Sequence, residues 1–164
     1  FCFNNSVSSI YSSKIEGDLV GNKKITLNEL GYENIAHKVS FWQGDACNLK
    51  PNFNSYYLIM ATNLIDRLYN PKLFLETIHK RLNSDGILMI TSPYSWQESS
   101  TQKEMWLGGF VDKNGNEIKT LNTLKKILNE NFELIHLKDI EFVIKESARK
   151  FQHTIAQCSI WKKR

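Results

Sequence analysis

Glycine, proline and cysteine are all sparse in this chain, with 8, 3 and 3 residues among 164. So little Gly and Pro excludes a collagen-like or Pro/Gly-rich low-complexity protein. The cysteines Cys2, Cys47 and Cys158 are odd in number and far apart, and no CxxC occurs. That pattern excludes a disulfide framework and a cysteine zinc site, and predicts free thiols in a reducing, cytoplasmic setting. Long apolar runs are missing too. Tyrosines aside, the longest are four residues, as at Leu58 to Ala61 and Ile87 to Ile90. A membrane-spanning helix needs roughly 20, so no membrane partner is expected. His37, His79, His136 and His153 are scattered without HxxxH or HExxH, so no metal is expected. Neither GxSxG nor GxxxxGK[ST] occurs, which removes the nucleophile elbow and the P-loop.

What is present is ordinary globular protein: 41% hydrophobic and 23% charged residues, enough for about one domain. The net charge of +4 is local in origin. Six basic residues and one acidic residue fall between Lys145 and Arg164, and the remainder is near neutral. Three of those basic residues end the chain as solvated charge, so nucleic acid is not an expected partner.

The first 38 residues read as an irregular lead-in. Phe1 to Ser13 hold five Ser and two Asn without clean periodicity, and the stretch from Lys14 to Gly31 is polar with three Gly. From residue 39 the pattern sharpens into a core that runs to 164. Val39-Ser40-Phe41-Trp42 is a short β-prone run, and Tyr56 to Ala61 is a nearly continuous apolar one. Runs of the second kind fit strands buried on both faces of a parallel sheet. Asn70-Pro71 signals a helix start, followed by Phe74, Leu75, Ile78 and Leu82 at helical spacing. Asn83-Ser84-Asp85-Gly86 closes it, with Gly86 suited to a left-handed terminal position. Ile87 to Thr91 is a further strand. Ser92 to Asn116 is a long, aromatic, Gly-containing loop, and such loops are often functional. Leu121, Leu124, Ile127 and Leu128 mark a second helix. Phe132 to Ile144, kinked near Asp139, and Thr154 to Trp161 then make a terminal antiparallel hairpin. The expected class is α/β: a mostly parallel, Rossmann-like sheet with an antiparallel C-terminal hairpin.

Ligands of open α/β sheets bind beyond the carboxyl ends of the strands. That rule selects three places. Asp45 and Ala46 follow Phe41-Trp42: a small residue lets a flat ring approach, and a carboxylate accepts from an exocyclic amine, although a simple Asp45-capped turn fits as well. Asn63 follows the second strand with an amide that both donates and accepts, while Asp66 and Arg67 either belong to the same strand-end site or form a surface ion pair of small worth. Tyr94 and Trp96, with Trp106, follow the third strand and either wall a cavity or anchor the loop by packing. Arg149, at the entry to the last strand, could hold a carboxylate through its guanidinium or sit in a solvated turn.

Four blocks in order resemble the C-terminal methyltransferase domain of the ovothiol-biosynthesis enzymes. They are Phe41-Trp42-Gln43-Gly44-Asp45-Ala46-Cys47-Asn48-Leu49; Asn63-Leu64-Ile65-Asp66-Arg67-Leu68; Ser92-Pro93-Tyr94-Ser95-Trp96 with Trp106-Leu107-Gly108-Gly109; and Arg149-Lys150-Phe151-Gln152. The resemblance covers roughly Glu16 to Trp161. It implies a class I fold and S-adenosylmethionine as cofactor. The implied reaction is methyl transfer to an imidazole nitrogen of 5-mercaptohistidine, a small-molecule substrate. It further implies an iron-dependent sulfoxide synthase region as partner, upstream in the same polypeptide or as a separate protein. Asp45 and Ala46 would border the adenine, and Asn63 the methionine end of the cofactor. Tyr94, Trp96 and Arg149 would be substrate-side, and no catalytic base is identified.

Two departures accompany the resemblance. Glu16-Gly17-Asp18 is not the glycine-rich turn that opens such domains, so a first βαβ unit, about 50 residues by usual spacing, is expected to be missing from this sequence. Tyr57 stands where an Asp commonly follows Tyr. A fragment of that kind is expected to be poorly stable and inactive alone. Two other readings remain: a methyltransferase for a different small molecule, and a noncatalytic scaffold of the same fold.

Overall fold

The computed structural model describes residues 8–164, so Cys2 and the start of the Ser-rich segment lie outside the described residues. The chain divides into two compact units. One comprises residues 1–43 and 143–153, the other residues 44–142 and 154–164. A piece of the terminal hairpin, residues 143–153, goes with the first unit.

In the first unit the lead-in is not irregular. β1 (Ser8–Glu16) and β2 (Leu19–Thr26) form an antiparallel hairpin, with Ile10 opposite Lys24 and Ser12 opposite Asn22. Glu16-Gly17-Asp18-Leu19 is the turn of this hairpin. The alternation behind it is masked in the sequence because many of its side chains on both faces are polar or exposed. A 3-10 turn follows at Glu33–Lys38. The strand expected over Val39 to Trp42 is absent. An extended segment becomes a strand only when its N–H and C=O groups find a ladder partner, and no described strand pairs with this one.

In the second unit, β3 (Tyr56–Thr62) runs into a 3-10 turn at Ile65–Arg67 and then α1 (Pro71–Thr77). Asn70 caps α1 as expected: its side chain accepts from the Leu73 N–H at 3.0 Å, and Pro71 occupies the first turn, where it forfeits no helical bond. A 3-10 turn at Ile78–Arg81 leads into β4 (Leu82–Ser92). The left-handed residue in this connection is Asp85, with φ of 60°, and not Gly86. Glycine is required at 86 for a different reason. A Cβ there would sit 2.9 Å from the Asn83 carbonyl oxygen and 3.1 Å from the Leu82 side chain.

The long aromatic segment after β4 is also partly ordered. It holds a 3-10 turn at Lys103–Met105 and a two-residue ladder of β5 (Phe110–Val111) with β6 (Glu117–Ile118). The β5–β6 turn is built by Asp112, whose carboxylate accepts from the backbone N–H groups of Asn114 and Asn116 at 2.8 and 2.9 Å. α2 (Thr120–Leu128) follows, then β7 (Phe132–Lys145) and β8 (Phe151–Lys163). β7 is one unbroken strand through Asp139.

These strands form a mixed sheet in the order β3-β4-β8-β7. β3 and β4 are parallel; β8 inserts between β4 and β7 and runs antiparallel to β4. Leu88, Ile90, Ala61 and Trp161 meet Phe74 and Leu75 of α1, Ile78 of the 3-10 turn after it, and Leu124 and Leu128 of α2 in one buried cluster. Both helices thus cover the same face of the sheet. The expectation of burial on both faces fails for β3, where Leu58 and Met60 are 52% and 58% exposed on the opposite face. Burial of both faces needs a layer on each, and the described helices of this unit supply one.

Candidate functional site

Parallel pairing places the carboxyl ends of β3 and β4 level. Thr62 lies opposite Thr91, so Asn63 and the segment Ser92-Pro93-Tyr94 leave the sheet side by side. Asn63 is fixed there. Its N–H donates to the Thr91 carbonyl at 2.8 Å, and the Thr91 hydroxyl donates to its Oδ1 at 3.1 Å. Both exits are left-handed without glycine: Asn63 has φ of 48° and Tyr94 of 53°. Asn tolerates that region, but Tyr does so at a cost on the order of 1–3 kcal/mol, a strain that gathers at functional positions.

Asp45 meets the stretch after β3 at Tyr69, not at Asn63. Asn63 opens the stretch after β3, and Tyr69 near its close donates its phenol to Asp45 Oδ2 at 2.9 Å. Asp45 Oδ1 accepts the Cys47 N–H at 2.8 Å, and the Cys47 thiol donates to the Asn70 carbonyl at 3.3 Å. The turn reading of Asp45 is therefore realised, while its carboxylate stays exposed at the loop. That bond to Asp45 is the largest reason the Tyr69 phenol is pushed up to about 12. Burial pushes the Cys47 thiol up. Ala46 lines a hollow with Cys47, Leu49, Thr77, Ile78 and Arg81. Thr77, Ile78 and Arg81 place this hollow beside the C-terminal end of α1. It contains none of Asp45, Asn63 or Tyr94, and the Arg81 guanidinium donates at its margin to the carbonyls of Leu49 and Lys50, each at 2.8 Å.

Beyond β4, Tyr94 is tied at both ends. Its N–H donates to Ser92 Oγ at 3.0 Å and its phenol to Gln157 Oε1 at 3.0 Å. Burial first, then the charges of Asp139 and Asp66, push it up to about 12. Neither phenol supplies a phenolate base at neutral pH; each acts as a donor.

Trp96 donates its indole N–H to Thr120 Oγ1 at 3.1 Å and stacks on Trp106, with ring centroids 6.1 Å apart. Trp106 donates to the Thr101 carbonyl at 2.8 Å, and the buried Thr101 hydroxyl donates to the Leu68 carbonyl at 2.7 Å. The loop also closes onto α2 at Gly108, where a Cβ would lie 2.3 Å from Thr120 N. The two tryptophans thus anchor the loop by packing. Arg149 lies in the other unit, exposed in the β7–β8 turn, with its N–H 3.4 Å from Ser147 Oγ.

Sequence reasoning undervalued one group. Asp66 is not on the surface: it is 1% exposed. Its Oδ2 accepts from Arg67 at 2.9 Å, from the Ser95 N–H at 3.0 Å and from Ser95 Oγ at 3.2 Å. Oδ1 is sealed with no hydrogen-bond partner. The available signal was position alone, an Asp-Arg pair directly after a strand end facing a Ser after the next one.

No family profile and no curated protein matches the chain. Solved structures do. A candidate S-adenosylmethionine-dependent methyltransferase from Listeria monocytogenes is similar at 12% identity and a TM-score of 0.53, over 85% of this chain and 76% of its own. A protein from work on the conversion of a disulfide bond into a thioacetal group during echinomycin biosynthesis is similar at 10% identity and a TM-score of 0.53. That match covers 84% of this chain and 62% of the other. MccD protein is similar at 14% identity and a TM-score of 0.51, over 84% and 72%. The chain therefore spans about three-fifths to three-quarters of the length of these structures. At such identities the likeness is one of fold: this chain has a methyltransferase-like mixed sheet.

Proposed function

We propose that this chain supplies the substrate-facing part of an S-adenosylmethionine-dependent N-methyltransferase. The observation that carries the reading is the pair of level strand ends, Asn63 and Tyr94, held left-handed side by side on a methyltransferase-like sheet. The resemblance of four sequence blocks to the ovothiol-biosynthesis enzymes supports 5-mercaptohistidine as the acceptor, through an imidazole nitrogen. It also supports a sulfoxide synthase region as the functional partner, in the same polypeptide or as a separate protein.

The residues present fit the cofactor's chemistry. Asp45 offers an exposed carboxylate to an exocyclic amine, and a Cβ on the neighbouring Gly44 would meet nothing within 4 Å, so a flat ring has room beside it. Asn63 offers its amide at the strand end. When bound, the cofactor supplies an already activated methyl group on a sulfonium. The protein's work is then alignment, and the acceptor nitrogen need only be unprotonated. Tyr94 commits its one phenolic proton to Gln157, so what it presents to the acceptor is its ring and the lone pairs of its phenol oxygen.

The bare face and edge of β3 carry Tyr57 at 78% exposure, with Leu58 and Met60. We propose that further chain, not among these 164 residues, closes that edge and completes the cofactor site. Two rivals keep the fold and change the conclusion: a different small acceptor, or a scaffold that binds no cofactor. Calorimetry with S-adenosylhomocysteine separates the last. Asp45→Ala is expected to weaken binding by about 1–3 kcal/mol, as for a lost hydrogen bond to a bound partner. Affinity unchanged by that substitution would remove Asp45 from the site.

A further inference from the structure

Asp66 is an unusual residue to bury. A carboxylate that is 1% exposed, with one oxygen lacking any partner, is costly to desolvate. What the other oxygen does accounts for its presence. Oδ2 takes the backbone N–H and the hydroxyl of Ser95, at 3.0 and 3.2 Å, from across the gap between the two strand ends. Arg67 completes a closed arrangement. One of its terminal nitrogens donates to Asp66 Oδ2 at 2.9 Å, to the Asp66 carbonyl at 2.7 Å and to the Ser95 carbonyl at 2.6 Å; the other reaches Ser95 Oγ at 2.9 Å. All of Ser95's polar groups are thus engaged by two consecutive residues of the β3 exit.

Ser95 directly follows Tyr94, whose backbone is left-handed and whose phenol is held by Gln157. A tyrosine keeps such a backbone only when its surroundings over-determine it. We propose that Asp66, Arg67 and Ser95 form a clamp that locks the β4 exit onto the β3 exit and thereby sets Tyr94 toward the methyl acceptor. Asp66 and Arg67 are positioning residues, acting through Ser95 on Tyr94. This inference rests on the methyltransferase reading for what Tyr94 faces, but not for the clamp itself.

Asp66→Asn and the milder Ser95→Ala, in the protein with any coding sequence that precedes Phe1 included, test both layers. Amide hydrogen exchange at residues 94–96 reads the clamp without any activity. It is expected to quicken about tenfold in Asp66→Asn and less in Ser95→Ala, as hydrogen bonds to a charged acceptor are lost. If Asp66→Asn fails to fold, Ser95→Ala carries the test, because it removes only hydroxyl bonds at an exposed residue. Methyl transfer reads the positioning: the acceptor KM rises about tenfold while S-adenosylhomocysteine affinity changes less than about threefold. Unchanged exchange in both variants overturns the clamp. Faster exchange with equal losses in acceptor KM and cofactor-product affinity overturns the positioning role. Wild-type protein that neither binds S-adenosylhomocysteine nor transfers methyl, with exchange rising as expected, fails the methyltransferase reading and leaves the clamp standing.

Discussion

β3 and β4 are nearly alike as sequence and opposite in circumstance. Both are short aliphatic runs, Leu58-Ile59-Met60-Ala61 and Ile87-Leu88-Met89-Ile90, paired in parallel residue for residue. β4 has a neighbour on each side, β3 and β8, and its inward Leu88 and Ile90 are 0% and 1% exposed. Among the described residues, β3 has a neighbour on one side only. Its inward Ala61 is buried, but Leu58 and Met60 remain more than half exposed. An apolar run therefore specifies a strand, while burial depends on what lies next to it. An exposed run of this kind is itself a record of where a partner layer belongs, since contiguous apolar surface of that sort marks interaction.

The comparison breaks most visibly under truncation. Leu88→Ala is expected to cost about 2–5 kcal/mol in chemical denaturation, because it opens a cavity in the shared core. Leu58→Lys is expected to cost within about 0.5 kcal/mol in the 164-residue chain, as for an ordinary surface change, and to raise solubility. A large loss at Leu58 in this chain would mean that its face is already covered. In a longer protein with a completed edge, the same lysine should become strongly destabilising, which sharpens the contrast into a map of what covers β3.

A smaller effect probes the covered side through His79, which is half-buried rather than on the surface. Burial, with Lys80 and Lys163 adding to it, holds its imidazole below the ordinary 6.5. The unfolded chain therefore binds a proton more readily, so the contribution to stability is complete above pH 6.5 and is lost as pH falls through the lowered value. The melting temperature should drop on acidification from pH 8 to 5.5, and His79→Gln should flatten that drop. An identical pH dependence in the variant would show that other groups control it.

The reliable part of the sequence was local. Asn70-Pro71 gave the α1 start, and Leu124 with Leu128 gave the face of α2, because caps and helical periodicity act over a few residues. From Tyr56 onward the order of the two helices and the strands of the mixed sheet was legible for the same reason, whereas the β5–β6 ladder was not. What could not be read were pairings. The β1–β2 hairpin hid behind polar, exposed side chains, and Val39 to Trp42 looked like a strand but is in no ladder with a described strand. At the site, Asn63 and Tyr94 were selected by the strand-end rule, which needs only element order. Asp66 was misjudged because its value lies in Ser95, 29 residues away, and separation of that size leaves no trace in a window of sequence. Arg149 was placed by a motif, and its turn belongs to a different compact unit from the other candidates.

The account stands or falls on methyl transfer. The decisive measurement incubates the protein, with any coding sequence that precedes Phe1 included, with methyl-labelled S-adenosylmethionine and 5-mercaptohistidine. The expected result is label on an imidazole nitrogen, reduced by Asp45→Ala through cofactor affinity and by Asp66→Asn through acceptor KM. Protein that binds S-adenosylhomocysteine yet leaves mercaptohistidine unlabelled would contradict the acceptor. Protein that binds no S-adenosylhomocysteine at all would contradict the enzyme.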